Sequence, residues 1–277
     1  MRTLALSDEI LMKVDKAARY IGEEVNSVMK DKNEVEIRFA MCFPDVYEIG
    51  MSNLGMMILY NMFNQREDVW CERLFSPWPD LDKVMREKKI PLFALESQEP
   101  IRDFDFLGIT IGYEMCYTNI LQVLDLSGIP LKSADRGEDF PIVIGGGACA
   151  YNPEPLAPFF DMFYIGEGET VYDALFDAYK ANKKAGGSRK DFLLAAAKIP
   201  GIYVPSLYEV TYKEDGTIAS FAPTADGVPE KVQKQLIIDM EKEYRAVEAP
   251  VVPHIKATQD RVTLEIQRGC IRGCRFC

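Results

Sequence analysis

Strand-like and helical runs alternate along residues 34–182, and that alternation predicts an α/β fold: a parallel sheet with helices on both faces. Glycine clusters recur where the strand-like runs end, as expected of βα turns. The chain has 277 residues, 48% of them hydrophobic, which suits two packed units and excludes bulk disorder.

Each element follows from local pattern. Leu4, Ile10, Leu11, Val14, Ala17, Ala18, Ile21 and Val25 recur at roughly helical spacing, so residues 1–33 read as an N-terminal helical segment with its helix over 4–30. Residues 35–42 then predict a strand and 50–65 a helix. A short strand at 69–74 precedes a helix at 81–89, and 91–95 reads as another short strand. Residues 104–111 predict a buried strand, and 117–128 a helix closed by Gly128. A strand at 142–144 runs into Gly145, Gly146 and Gly147, and a last pair follows at 161–165 and 169–181. About five strands suit a flavodoxin-like (Rossmann-type) open sheet over 34–182, whose ligands sit at the carboxyl ends of the strands.

The tract ANKKAGGSRK at 181–190 marks a boundary. Residues 183–255 predict a linker with a short helix at 191–198, a strand at 201–205, and a β-hairpin of 208–212 with 217–221 around Glu214, Asp215 and Gly216. A proline-punctuated stretch follows, with a strand over 232–240.

The net charge of −11 argues against a general basic surface for nucleic acid. No run reaches about 18 consecutive apolar residues, so no membrane span is expected. The N-terminus carries acids where a secretory signal would be apolar, so a cytoplasmic location with reduced thiols is expected.

The uneven cysteines say most about chemistry. Of seven, Cys270, Cys274 and Cys277 fall in the last eight positions, spaced C-x3-C-x2-C. Such gaps let one loop wrap a metal centre. A structural zinc site wants four ligands, whereas three thiolates on a [4Fe-4S] cluster leave one iron open. A chain closing on its third cysteine reads as a fragment. Cys42, Cys116 and Cys149 sit at strand ends, where small buried hydrophobes are the commoner role and a second metal site the rarer one. The methionines of the 50–65 helix read as core.

With Phe276 before the last cysteine, this loop resembles that of radical S-adenosylmethionine (radical SAM) enzymes. The resemblance implies that residues 256–277 begin a truncated radical SAM (β/α) barrel, with 262–266 its first strand and Gln267, Arg268 and Gly269 the turn into the loop. It implies that Cys270, Cys274 and Cys277 each hold one iron and that S-adenosylmethionine binds the fourth. One electron, from a donor such as flavodoxin or ferredoxin, then cleaves it reductively and starts radical chemistry on an unknown substrate. Arg268, Arg272 and Arg275 either offset the cluster's charge or form a solvated basic face.

The sheet domain resembles the cobalamin-binding domains that precede such barrels, on its GGG turn, its 152–155 segment and its GEGE turn. That implies a cofactor site drawn from Asp45, Tyr47, Gly50, Gly145, Gly146, Gly147, Gly166 and Glu167. The chain departs from the D-x-H-x-x-G pattern, because Tyr47 stands where the histidine should be, and the one histidine, His254, is remote. Histidine ligation of cobalt is thereby excluded. Cobalamin bound without a protein axial ligand, or a degenerate domain serving another ligand, both stay open. A rival reading is a non-catalytic binding or docking domain with zinc on the terminal cysteines.

Overall fold

The computed structural model describes residues 3–243 and 246–275. Its centre is a six-stranded sheet. The N-terminal segment contributes one turn of helix, α1 (Asp8–Leu11). Strand β1 (Ile37–Phe43) leads through α2 (Tyr47–Gly50) and α3 (Leu54–Asn64) to β2 (Val69–Phe75). Helix α4 (Pro79–Lys88) precedes β3 (Phe106–Thr110), and α5 (Tyr117–Leu126) precedes β4 (Ile142–Gly146). Strand β5 (Met162–Tyr164), α6 (Tyr172–Lys184), α7 (Arg189–Ala196) and β6 (Ile202–Tyr203) complete the unit. A hairpin of β7 (Tyr208–Tyr212) and β8 (Ile218–Pro223) and a last turn, α8 (Met240–Glu243), follow.

The strands run in the order β2-β1-β3-β4-β5-β6; the first five are parallel, and β6 lies antiparallel on β5. The chain therefore reverses its direction of travel across the sheet between β1 and β3, which opens a crevice beyond the strands' carboxyl ends. Alternate residues serve opposite faces. Ile37, Phe39 and Met41 of β1 join one core with α3, α6 and α7, while Ala40 and Cys42 join the other with α4 and α5. Phe39 is the hub of the first core: its ring meets Phe63 edge-on at 5.0 Å and stacks on Phe106 at 5.8 Å. Each such pair contributes about 0.5–1.5 kcal/mol beyond area burial. The ring reaches over Gly108, where a Cβ would stand 2.3 Å from its Cζ.

A buried ionic knot ties the N-terminal segment to the sheet. Arg73 of β2 pairs with Glu24 at 2.6 Å and with Glu96 at 2.6 Å, all three side chains being inaccessible to solvent. The outer flank of β2 is sewn to residues 95–97. The Leu95 N–H donates to the Arg73 carbonyl at 2.9 Å, and the Arg73 N–H donates to the Glu96 carboxylate at 2.6 Å.

Several expectations are corrected. Residues 4–30 are not a helix beyond α1 and a 3-10 turn at Ala17–Arg19, because Lys16, Gly22, Glu23 and Asn26 all adopt positive φ. Their apolar periodicity is real, but Leu6, Ile10, Val14 and Tyr20 reach the core from an irregular path. Residues 91–95 form no strand; one backbone hydrogen bond, from the Leu95 N–H to the Arg73 carbonyl, joins them to β2, while Leu92 and Ala94 donate to Leu126 and Glu99. Residues 232–240 hold only one bridge, Gln235 with Gly166. The sheet unit also runs past residue 182. Helix α7 packs on α6, with Tyr179 and Phe192 rings 5.1 Å apart, and β6 extends the sheet. Residues 262–266, expected to open a barrel, pair with no strand among the described residues, and Val262, Leu264 and Ile266 are exposed. The hairpin and the helix after residue 188 form as expected, the latter with a capping box between Ser188 and Asp191.

Candidate functional site

A cavity of about 520 Å³ opens at the carboxyl ends of β1, β3, β4 and β5, on the face covered by α3 and α6. Small-molecule sites typically measure ~300–1,000 Å³. Its floor is apolar, with Phe39, Met41 and Ile144 from the strands. Leu59 of α3 and Tyr164 and Tyr172 wall it, and Glu167, Glu169, Glu265 and Arg268 stand around it. The N-terminus of α3 faces this space, with Asn53 capping the Met56 amide at 2.9 Å.

Four expected site residues meet here: Gly146, Gly147, Gly166 and Glu167. A side chain at Gly146 would find nothing within 4 Å and would enter the cavity. Gly147 has φ +104°, and a Cβ there would strike the Ile111 carbonyl at 2.9 Å. Gly166 has φ +134° because the backbone of Gln235 lies across it, 2.2 Å from where a Cβ would be. That segment is a strap: the Gln235 N–H donates to Ile165 at 3.1 Å and the Glu167 N–H donates to Gln235 at 3.0 Å. The Ile237 N–H then donates to the Glu167 carboxylate at 2.6 Å.

The other four do not line the cavity. The Asp45 carboxylate accepts from its neighbour's amide and from the Tyr113 hydroxyl at 3.0 Å. Gly50 is packed against Phe75, and Gly145 against Ile111, Phe160 and Phe163. Tyr47 is only 1% exposed. Its hydroxyl donates to Glu24 at 2.9 Å and accepts from the His254 amide at 3.3 Å. Burial, then the Glu24 carboxylate, pushes the phenol well above its ordinary range. His254 donates Nε2–H to the Gly22 carbonyl at 2.8 Å. Neither residue lines the cavity.

Glu48, beside Tyr47, is held by Arg19 through two bonds of 2.9 Å and by Lys16 at 2.9 Å. Burial raises its pKa, but these hydrogen bonds outweigh burial and bring it down to about 2. A carboxylate depressed on folding stabilises the fold above its unfolded pKa of about 4.3, and that contribution is lost as pH falls through the folded value. Wild type should therefore melt above Glu48→Gln at neutral pH, with the gap shrinking below about pH 4.3 and closing near pH 2 in thermal scans. A gap independent of pH would contradict this.

Cys270 and Cys274 are exposed free thiols beyond Gly269, which has φ +77°. Cys277 lies outside the described residues. Cys42 and Cys116 are buried and Cys149 is half-buried. Among the described residues no three Cys, His, Asp or Glu side chains are grouped to hold a metal ion. Sequence reasoning missed the role of Arg268. It is not solvated: its guanidinium pairs with Glu169, with Glu265 at 2.8 Å and with Glu167 at 3.4 Å. The acidic GEGE turn was the available signal, but nothing local linked it to an arginine about a hundred residues later.

The chain thus combines an open, mostly parallel α/β sheet, a ligand-sized cavity at its strand ends and, further along, a glycine-flanked pair of free thiols. The family described as "Radical SAM proteins, N-terminal" matches residues 55–205, more than half of the chain, and the chain belongs to that family. It is 25% identical over 239 residues to the uncharacterized protein MJ0966 of Methanocaldococcus jannaschii, a match covering 86% of this chain and 40% of that one. The chain thus spans under half the length of this curated relative. Among solved structures it is similar to the cobalamin-dependent S-adenosylmethionine radical enzyme OxsB, solved with aqua-cobalamin and S-adenosylmethionine bound. That likeness has a TM-score of 0.39 and 14% identity over 66% of this chain and 21% of that one, too loose to bear on function. No described helix is long and apolar enough to cross a membrane.

Proposed function

We propose that this chain is the N-terminal part of a radical SAM enzyme, in which Cys270, Cys274 and Cys277 hold a [4Fe-4S] cluster and the preceding cavity holds a flat organic ligand. The observation that carries it is the pair of exposed, unbridged thiols at C-x3-C spacing, in a chain that belongs to the radical SAM N-terminal family. The donor set fits: thiolates bind iron, and the positive φ at Gly269 turns the backbone before the first of them. Once bound, such a cluster supplies an open iron for the amino and carboxylate groups of S-adenosylmethionine and one electron for its reductive cleavage. The chain's own residues place the thiols of Cys270 and Cys274 on an exposed loop outside the sheet core. An electron donor of the flavodoxin or ferredoxin kind belongs to the same reading.

In the cavity, Phe39, Tyr164 and Tyr172 offer apolar and aromatic walls, and Gly146 leaves room for a planar group. A corrinoid bound here would be held by the cavity's own lining, including Phe39, Tyr164 and Tyr172, since neither Tyr47 nor His254 lines it.

Anaerobic reconstitution of the full-length polypeptide tests the cluster. We expect about four irons and four sulfides per chain, and 5'-deoxyadenosine on reduction with S-adenosylmethionine. Stoichiometric zinc without a brown chromophore would overturn it in favour of a docking domain. Equilibrium dialysis against hydroxocobalamin tests the corrinoid separately, and no retention at high micromolar ligand retires it.

A further inference from the structure

Beyond Gln259 the chain has few ties to the sheet domain. Thr258 and Gln259 still bond Glu48 and Ser52 through their amides. Among the described residues after these, the hydrogen bonds and ion pairs that reach the sheet domain all belong to Arg268. The neighbouring apolar side chains give no grip, since Val262, Leu264, Ile266 and Ile271 are exposed. Arg268 stands two residues before Cys270.

Its partners are unusually well fixed. Glu169 is almost fully buried, its side chain 7% exposed. Glu167 is anchored by the strap through the Ile237 amide. Gly168 between them admits Leu59, whose Cδ2 would stand 2.9 Å from a Cβ there. The turn thus presents two carboxylates on a rigid base at the rim of the cavity. A planar guanidinium, with its fixed fork of five donors, engages both and Glu265 together.

We propose that the Gly166–Glu169 turn and Arg268 form a clasp, and that Arg268 is the positioning residue that fixes the cysteine loop over the mouth of the cavity. This rests on the reading of 270–277 as a cluster loop, but the clasp itself needs no cluster. It gives the GEGE sequence a division of labour. Gly166 accepts the strap, Glu167 joins strap to tail, Gly168 seats the turn on α3, and Glu169 takes the guanidinium.

The test uses the 277-residue chain with Cys149, Cys270 and Cys277 changed to Ser, so that a nitroxide attaches at Cys274 while Cys42, Cys71 and Cys116 stay buried. The electron paramagnetic resonance spectrum of this protein should contain an immobilised component. Arg268→Ala and Glu169→Gln should each convert it to a fast-tumbling line with the thermal midpoint unchanged. The double variant should be no more mobile than Arg268→Ala alone, because loss of the guanidinium already removes the ties to both Glu167 and Glu169. Glu265→Gln, which alters a carboxylate on the tail itself, should keep the immobilised component. The proposal is overturned if Arg268→Ala or Glu169→Gln leaves the line shape as it was, or if the two effects add. A chain that binds no iron would sink the cluster reading and leave this result standing.

Discussion

Replacing Arg73 by methionine is expected to lower the unfolding free energy by about 3–5 kcal/mol, because two carboxylates then stay buried without their cation. Arg73 bonds Glu24 through Nη1 and Nη2, at 3.1 and 2.6 Å, and Glu96 through Nε at 2.6 Å; its guanidinium also lies 5.5 Å from the Tyr60 ring. Glu24 in turn receives the Tyr47 hydroxyl, so the knot ties the N-terminal segment, α2 and β2 together. Urea denaturation measures the loss. Adding Glu24→Gln and Glu96→Gln to Arg73→Met should recover most of it, since the penalty lies in the unpaired charges and not in lost contact area. A single variant as stable as wild type would show that the knot is neutral at its own expense.

Changing Cys274 to alanine should reduce iron bound on anaerobic reconstitution from about four per chain to near zero. The thiol is exposed and packs against nothing in the core, so the melting temperature without iron should not move. Cys149→Ala, which removes a half-buried thiol at the end of β4, should leave iron content intact. Iron retained in the first variant, or lost in the second, would move the metal centre away from the terminal loop.

How much of this was legible in the sequence depended on the range of the interaction. The strands β1, β2, β3 and β4 were readable because their apolar runs end in turns within a few residues. Gly147 and Gly166 were readable as site residues for the same reason: a strand end with positive φ writes its own glycine. Tyr47 was misplaced because a six-residue pattern match says nothing of Glu24, which captures its hydroxyl. The stretch 4–30 misled for a related reason. Side chains reaching a core from an irregular path can imitate a helix's period, and only the backbone at Lys16, Glu23 and Asn26 tells them apart. The strap at Gln235 and the grip on Arg268 join segments about seventy and a hundred residues apart, and one chain read locally carries no trace of such pairings.

The flank of β2 has a consequence for solubility. An outermost strand with bare amides and carbonyls is a template onto which another molecule can zip, the first step of fibre growth. Here a carboxylate and a passing backbone occupy those groups at Arg73, and an arginine buried behind them holds the carboxylate in place. The ion pair that steadies the fold is thus also its guard against polymerising along that rim.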